Sequence, residues 1–287
     1  MKIALTGAGG FIGSVVLGYL NQQGINDIIV FDDLPHPEQF KNLVGKDYKM
    51  LLGADDWGVD VDCVVHIGAN SSTLDTDWKD YYNRNVLSTR EWYAWCQLKN
   101  VPFIFTSSAG VYGLGDNRPA SQYAFSKYIS ERELDNAVIL RLFNVYGPNE
   151  YHKGHMASTP FHWYNQLQED KRLRLFDDSV SYYRDFIYVE DVARVIWHFV
   201  NNYKPGVYDV GTGSAHNFET VANYMLEHIK GKKKYFEMPR NLGKQYQTWT
   251  RADTDALTLA GVDVSEFRTL KQGIEEYLGY LKTHRYY

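Results

Sequence analysis

Over its first half the chain alternates short apolar runs with helical apolar stripes. Residues 2–5 (Lys2, Ile3, Ala4, Leu5) form a run too short for a helix, so they read as a buried strand. The turn Thr6-Gly7-Ala8-Gly9-Gly10 follows, and residues 11–24 then carry helical spacing through Phe11, Ile12, Val15, Val16 and Leu20. The same logic predicts strands over residues 27–31, 49–52, 62–67, 101–105 and 137–142. Helices are predicted over 78–98 and 121–134. Six strands alternating with helices imply an α/β protein with a Rossmann-type, doubly wound parallel sheet and right-handed crossovers. From Asn144 the pattern loosens. Helices are predicted over 156–168, 190–201, 217–229 and 270–281, and strands over 173–176, 185–189 and 207–210.

The opening strand, turn and helix form the context that a dinucleotide-binding fingerprint needs. Its glycines, Gly7, Gly10 and Gly13, are spaced GxxGxxG. Gly7 suits the turn, Gly10 lets a pyrophosphate approach the backbone, and Gly13 allows close helix packing. The helix start at Phe11 and Ile12 then offers free N–H groups and partial positive charge. Asp32 and Asp33 stand at the end of the second strand, where a carboxylate accepts ribose hydroxyls and repels a 2′-phosphate. No arginine follows closely, which favours NAD; Lys41 is within reach of a phosphate, so NADP stays open. Asp33 serves equally well as a turn or capping residue. The expected division is 1–143 as the NAD(P)-binding domain, with residues 185–212 returning to it. Residues 144–287 form a smaller, mixed substrate lobe.

Composition narrows the class. The 287 residues are 44% hydrophobic, enough for a sizeable core, and a net charge of −5 gives no nucleic-acid footprint. The 23 tyrosines and 14 phenylalanines are scattered along the chain and form no low-complexity segment. Cys63 and Cys96 lack metal-ligand spacing and read as reduced core thiols. No window is of membrane-spanning length and the first residues do not read as a signal peptide, so a cytoplasmic location is expected.

Polar clusters follow several strands. Ser71, Ser72 and Thr73 follow the fourth; Ser71 suits a pyrophosphate or a substrate as well as it suits a plain loop. Thr106, Ser107 and Ser108 follow the fifth. Tyr123 and Lys127 form a YxxxK pair on one helix face, where the ammonium is expected to lower the phenol's pKa for proton exchange with a substrate hydroxyl. Ser108 is placed to bond the same oxygen. Histidines 152, 155 and 162 lack carboxylates at ligand spacing, so no metal is expected.

TGAGGFIG, the serine after the fifth strand and YxxxK together resemble the extended short-chain dehydrogenase/reductases that modify nucleotide sugars. Arg141-Leu-Phe-Asn-Val-Tyr-Gly-Pro148, His152-Lys-Gly-His-Met-Ala-Ser158 and Phe161-His162 resemble the ADP-L-glycero-D-manno-heptose 6-epimerases, as do Leu175-Phe-Asp-Asp-Ser179, Arg184-Asp-Phe186 and Gln245-Tyr-Gln-Thr248. The resemblance spans essentially the whole chain. It implies transient oxidation and reduction at carbon 6 of an ADP-linked heptose, with Tyr123 and Lys153 each serving one orientation of the carbonyl oxygen and Lys127 and Ser108 in support. It further implies Asn85 and Val145 at the cofactor. Around the sugar nucleotide it implies Asn144, His155, His162, Phe176, Asp177, Asp178, Ser179, Arg184 and Tyr246. Enzymes of this group associate, so a homo-oligomer is expected.

The chain departs from the family at three places. His155 replaces a usual serine, Gln39 replaces a lysine that faces the NADP 2′-phosphate, and the segment between Gly113 and Tyr123 is short. These leave the sugar and the nucleotide base open. The nearest alternative is another nucleotide-sugar 4-epimerase or reductase, which has no need of Lys153. A 4,6-dehydratase calls for a carboxylic acid beside Ser108, which Thr106-Ser107-Ser108-Ala109 does not offer. A redox sensor that merely binds the dinucleotide has no need of YxxxK.

Overall fold

The computed structural model describes residues 1–54, 56, 59–73, 75, 77–115, 118–239 and 247–287. Its centre is a parallel sheet built from β1 (Ile3–Thr6), β2 (Ile28–Phe31), β3 (Met50–Leu52), β4 (Cys63–His66), β5 (Phe103–Ser108), β6 (Val138–Leu142) and a seventh strand, Gly206–Val210. Every residue of β1, β2 and β4 is buried, as strands covered by helices on both faces must be. The strand order is β3-β2-β1-β4-β5-β6 followed by Gly206–Val210. The direction of winding therefore reverses between β1 and β4, whose register pairs Ile3 with Cys63 and Thr6 with His66. Such a reversal leaves a crevice beyond the carboxyl ends of the strands.

The helices that position the site are α1 (Phe11–Gln22), α2 (Trp78–Tyr81), α3 (Ser88–Lys99) and α4 (Gln122–Glu131). The helix predicted over residues 78–98 is continuous, but it widens to a π-helix over Tyr82–Leu87, a feature apolar spacing does not report. Beyond β6, α5 (Thr159–Glu169) and α7 (Phe218–His228) pack on a two-stranded parallel pair, Arg172–Phe176 with Lys232–Phe236, and the C-terminal helix Leu270–Thr283 packs on those two helices. Leu167, Leu173, Leu175, Met225, Ile274 and Leu278 form the core there. A separate core of Leu5, Val15, Val65, Leu140, Val192 and Ile196 lies under the main sheet, between it and α1 and α6 (Val189–Asn201). Cys63 and Cys96 are buried free thiols. Among the described residues no helix is long and apolar enough to cross a membrane.

Two strands depart from expectation. The fifth runs on through Thr106, Ser107 and Ser108, which pair with Leu140, Arg141 and Leu142 of β6. Backbone pairing is indifferent to side-chain polarity, so the apolar run marked only the first part of the strand. The predicted strand at 185–189 is two strands: Tyr183–Asp185 pairs antiparallel with Ala215–Asn217, and Ile187–Tyr188 pairs parallel with Val145–Tyr146. The first ends at Asp185, whose carboxylate is buried. That carboxylate accepts bonds from the backbone N–H of Thr212, Gly213 and Ala252 at 2.8, 2.9 and 3.1 Å.

Arg268 ties the two cores together. Its guanidinium meets Glu190, Asp191 and Glu276 at 2.8, 2.9 and 2.7 Å and lies 4.8 Å from the centre of the Tyr188 ring. Asp191 is fully buried. Arg268→Met removes the guanidinium bonded to that carboxylate, and breaking a buried pair from one side costs about 3–5 kcal/mol. A loss of that size in urea unfolding is expected; a loss below about 1 kcal/mol counts the cluster as a surface one.

Candidate active site

The crevice at the strand reversal is a cleft of about 1210 Å³. It starts at the glycine turn. Gly7 has φ +70°, and a Cβ on it would lie 2.6 Å from the backbone nitrogen of Gly68. A Cβ on Gly13 would lie 2.0 Å from the Gly7 carbonyl oxygen. No other residue type fits either position, and the result is that α1 begins at the cleft wall. Gly10, Phe11, Ile12 and Gly13 line the cleft, and no acidic side chain occupies the first turn of α1. That helix start is therefore an unneutralised set of N–H donors, suited to a pyrophosphate.

Asp32 follows β2 and lines the same cleft. Its carboxylate accepts the backbone N–H of Gly9 at 2.9 Å and of Leu34 at 2.8 Å. A carboxylate has about four lone-pair sites, so acceptor capacity remains for a diol. Burial pushes its pKa up, and these two bonds oppose the shift. Asp33 also lines the cleft and accepts the backbone N–H of Ala54 at 2.9 Å. Gln39 is buried, and its carbonyl accepts the backbone N–H of His36 at 2.9 Å. A side-chain-free wall at Gly10, free donors at α1 and a carboxylate at the far end fit a dinucleotide cofactor.

The second group stands on β5 and α4. Ser121 caps α4 by accepting the Ala124 N–H at 3.1 Å, which sets Tyr123 and Lys127 on the face toward the cleft. Ser107, Ser108, Tyr123 and Lys127 all line it. Lys127 is almost fully buried; its ammonium donates to the Thr106 carbonyl at 2.8 Å and lies 4.5 Å from the centre of the Phe105 ring. Burial pushes its pKa down to about 7, against the pull of Glu131 one turn further along. Burial raises the pKa of Tyr123, and the Ser108 hydroxyl opposes that rise. This corrects the expectation that Lys127 lowers the phenol's pKa. Desolvation dominates both groups, and Ser108 is the neighbour that favours the phenolate.

His66, also on the cleft wall, is buried and neutral, its pKa pushed down to about 3 by burial and by Lys127. Its Nδ1 is 2.9 Å from Thr6 Oγ1 and its Nε2 is 3.1 Å from Thr89 Oγ1. The Thr89 hydroxyl donates to the Asn85 carbonyl at 2.6 Å, so His66 Nε2 is the donor and Nδ1 the acceptor.

Lys153 enters the cleft from the short helical loop Tyr151–Met156. Its ammonium lies 5.1 Å from the centre of the Phe11 ring and makes no hydrogen bond among the described residues. Burial lowers its pKa and Glu150 raises it. The loop is joined to the glycine turn through buried Asn42, which donates to the Gly9 carbonyl at 2.8 Å and lies 3.2 Å from His152 Nδ1.

Of the remaining sequence-based candidates, Ser71, Asn144 and Val145 line the cleft. Asn85 does not. It is fully buried in the π-helical segment, where it accepts the Asn70 N–H at 2.7 Å and donates to the Asn70 carbonyl at 3.0 Å and Ser126 Oγ at 2.8 Å. Its amide is used in shaping the loop after β4. His155, His162, Phe176, Asp177, Asp178, Ser179 and Arg184 belong to the second lobe and do not line this cleft. Arg184 is 7% exposed and donates to the Tyr183 carbonyl at 2.8 Å, and Tyr182 donates to Asp178 at 2.9 Å. Tyr246 lies outside the described residues. Among the cleft residues to which the sequence analysis gave no site role are His66 and Arg84; His152, considered there only as a metal ligand, lines the cleft as well. Arg84 is half exposed, donates to Asp80 at 2.8 Å, and its charge lowers the pKa of Asp32. Its distance in sequence from β2 hid it.

A parallel sheet with a glycine turn at the strand reversal, an acid after β2 and a Ser/Tyr/Lys group on the opposite side defines a dinucleotide-dependent α/β enzyme. The chain belongs to the NAD dependent epimerase/dehydratase family, whose model matches residues 3–211. Among solved structures it is similar to ADP-L-glycero-D-manno-heptose-6-epimerase of Helicobacter pylori, with 26% identity over 98% of this chain and 96% of that one and a TM-score of 0.85. It is also similar to TunA, an NAD-dependent NDP-hexosamine 5,6-dehydratase of tunicamycin biosynthesis, with 25% identity over 98% of both chains and a TM-score of 0.84. UDP-N-acetylglucosamine 4-epimerase of Methanobrevibacter ruminantium shares the fold at 21% identity, over 99% of each chain, with a TM-score of 0.86.

Two outcomes follow from this geometry. Asp32→Asn weakens NAD⁺ at least about tenfold by titration calorimetry, since it removes a charge-assisted acceptor; unchanged affinity places the ribose elsewhere. His66 has a folded pKa of about 3 against an ordinary value of 6.5, so stability is full above pH 6.5 and is lost as pH falls toward 3. Its one-proton difference contributes a slope of about 1.4 kcal/mol per pH unit within that window. Urea midpoints of His66→Gln at several acidic pH values trace a flatter curve than those of the parent; parallel curves mean that His66 does not titrate on unfolding.

Proposed function

We propose that the chain inverts carbon 6 of an ADP-linked glycero-manno-heptose, using tightly held NAD. The supporting observation is that one cleft holds two separate proton-exchanging groups. Tyr123 with Ser108 stands on one part of its wall, and the Lys153 amine, free of hydrogen-bond partners among the described residues, stands on another. Inversion requires the same carbonyl oxygen to be served in two positions, and one acid/base group reaches only one of them. When bound, the nicotinamide supplies the acceptor and donor of hydride. Tyr123 takes the hydroxyl proton in one orientation, steadied by Ser108, and Lys153 takes it in the other. Burial lowers the pKa of Lys153, which favours the neutral amine that a base needs.

NAD is favoured over NADP because Asp32 and Asp33 set negative charge where a 2′-phosphate would lie, and Gln39 stands in place of a cation. Asn144, His155, His162, Phe176, Asp177, Asp178, Ser179, Arg184 and Tyr246 are the proposed partners of the sugar nucleotide. Arg184 carries the one side chain among them suited to grip a diphosphate in a bidentate way.

The test is incubation with ADP-D-glycero-D-manno-heptose and, in parallel, with UDP- and GDP-hexoses, the product stereochemistry being read by NMR. Inversion of the heptose alone is the expected result, and turnover of a hexose alone replaces this reading with a 4-epimerase. Lys153→Met and Tyr123→Phe each lower epimerisation about 10²–10⁴-fold with the cofactor still bound. Full activity in Lys153→Met removes the two-base mechanism.

A further inference from the structure

Glu150 is 1% exposed, lies outside the cleft wall and has no part in the proton exchange just described. A buried carboxylate is costly unless its oxygens are bonded, and here four donors converge on it. Oε1 accepts the Gly147 N–H at 3.3 Å, the Ser158 hydroxyl at 2.6 Å and the Tyr277 hydroxyl at 3.1 Å; Oε2 accepts the Ser158 N–H at 2.5 Å. Gly147 and Ser158 stand at the two ends of the segment that carries Lys153. The Glu150 carbonyl also accepts the Lys153 N–H at 2.9 Å, and the chain reverses at Gly154, at φ +51°. One carboxylate therefore draws both ends of the loop together and is itself held by Tyr277 on the C-terminal helix.

We infer that Glu150 is the positioning residue for Lys153: by closing Gly147 and Ser158 onto one acceptor pair, it sets where the lysine amine stands in the cleft. A carboxylate suits the place because it only accepts. A glutamine would turn an NH₂ group toward at least one of the donors. The Glu150 carboxylate also acts on Lys153, which it holds toward the protonated state, and Lys153 in turn opposes the rise of the Glu150 pKa. The inference rests on the proposed role of Lys153, but its first readout does not.

That readout is amide hydrogen exchange in the purified full-length protein. Glu150→Gln accelerates exchange in residues 151–157 about tenfold or more and leaves the main sheet, α5 and α7 unchanged. Ser158→Ala, which removes one donor, moves the same amides in the same direction by less, and serves if Glu150→Gln does not fold. The second readout is the reduced-nicotinamide absorbance formed with each of the two heptose epimers. Glu150→Gln slows the epimer that Lys153→Met slows by about tenfold and leaves the other within about threefold. Unchanged loop exchange, exchange raised throughout the second lobe, or both epimers slowed alike overturns the inference. If the parent protein reduces its cofactor with neither epimer, the heptose reading falls and the exchange data alone decide on Glu150.

Discussion

Contact between backbones at the turn after β1 is the constraint from which the cleft is built. Gly7 lies against Gly68, and Gly13 lies on the Gly7 carbonyl, with no space for a Cβ at either place. This closeness brings α1 to the cleft wall with its first N–H groups free. It also brings the loop after β4 alongside, where Ser71 and Asn70 stand, with Thr6 Oγ1 accepting the backbone N–H groups of Ile67 and Gly68 at 3.1 and 3.0 Å. Asp32 is drawn in by the Gly9 N–H and the Lys153 loop by Asn42 at the Gly9 carbonyl. A side chain at Gly7 or Gly13 would displace all four pieces together.

Around that turn desolvation disfavours charge: it pushes Lys127, His66 and Lys153 toward their uncharged forms and raises the pKa of Tyr123 against the Ser108 hydroxyl. Lys127, at about 7, is the group among them whose two protonation states are close in free energy near neutral pH. The compensating charges lie one layer out. Glu131 pairs with Arg141 at 2.6 Å and acts on Lys127 from the next helical turn, and Glu150 acts on Lys153 from beneath its loop. The site thus combines weakly held charge inside with firmly paired charge behind it.

The sheet and its flanking helices were legible because each strand and each helix carries its own apolar pattern, which acts over a few residues. Long-range pairings were not readable. Asn85 stands in the π-helical segment and is bonded to Asn70 and Ser126, contacts that no spacing along the chain reports. His66 looks like the end of a core strand, and only the Thr6 and Thr89 hydroxyls from two other elements show that it is held neutral beside Lys127.

By itself the sequence determined the strand-turn-helix nucleus, the order of the sheet-forming segments and the chemical types that meet at its carboxyl edge. Backbone propensity and apolar periodicity act over a few residues, and that is the range of those features. Only the tertiary structure decided which of these groups share a cleft, what their proton affinities are and what holds Lys153 in place. Each of those depends on desolvation and on bonds between residues as much as 127 positions apart, such as Glu150 and Tyr277, and distances through space of that kind leave no pattern along the chain.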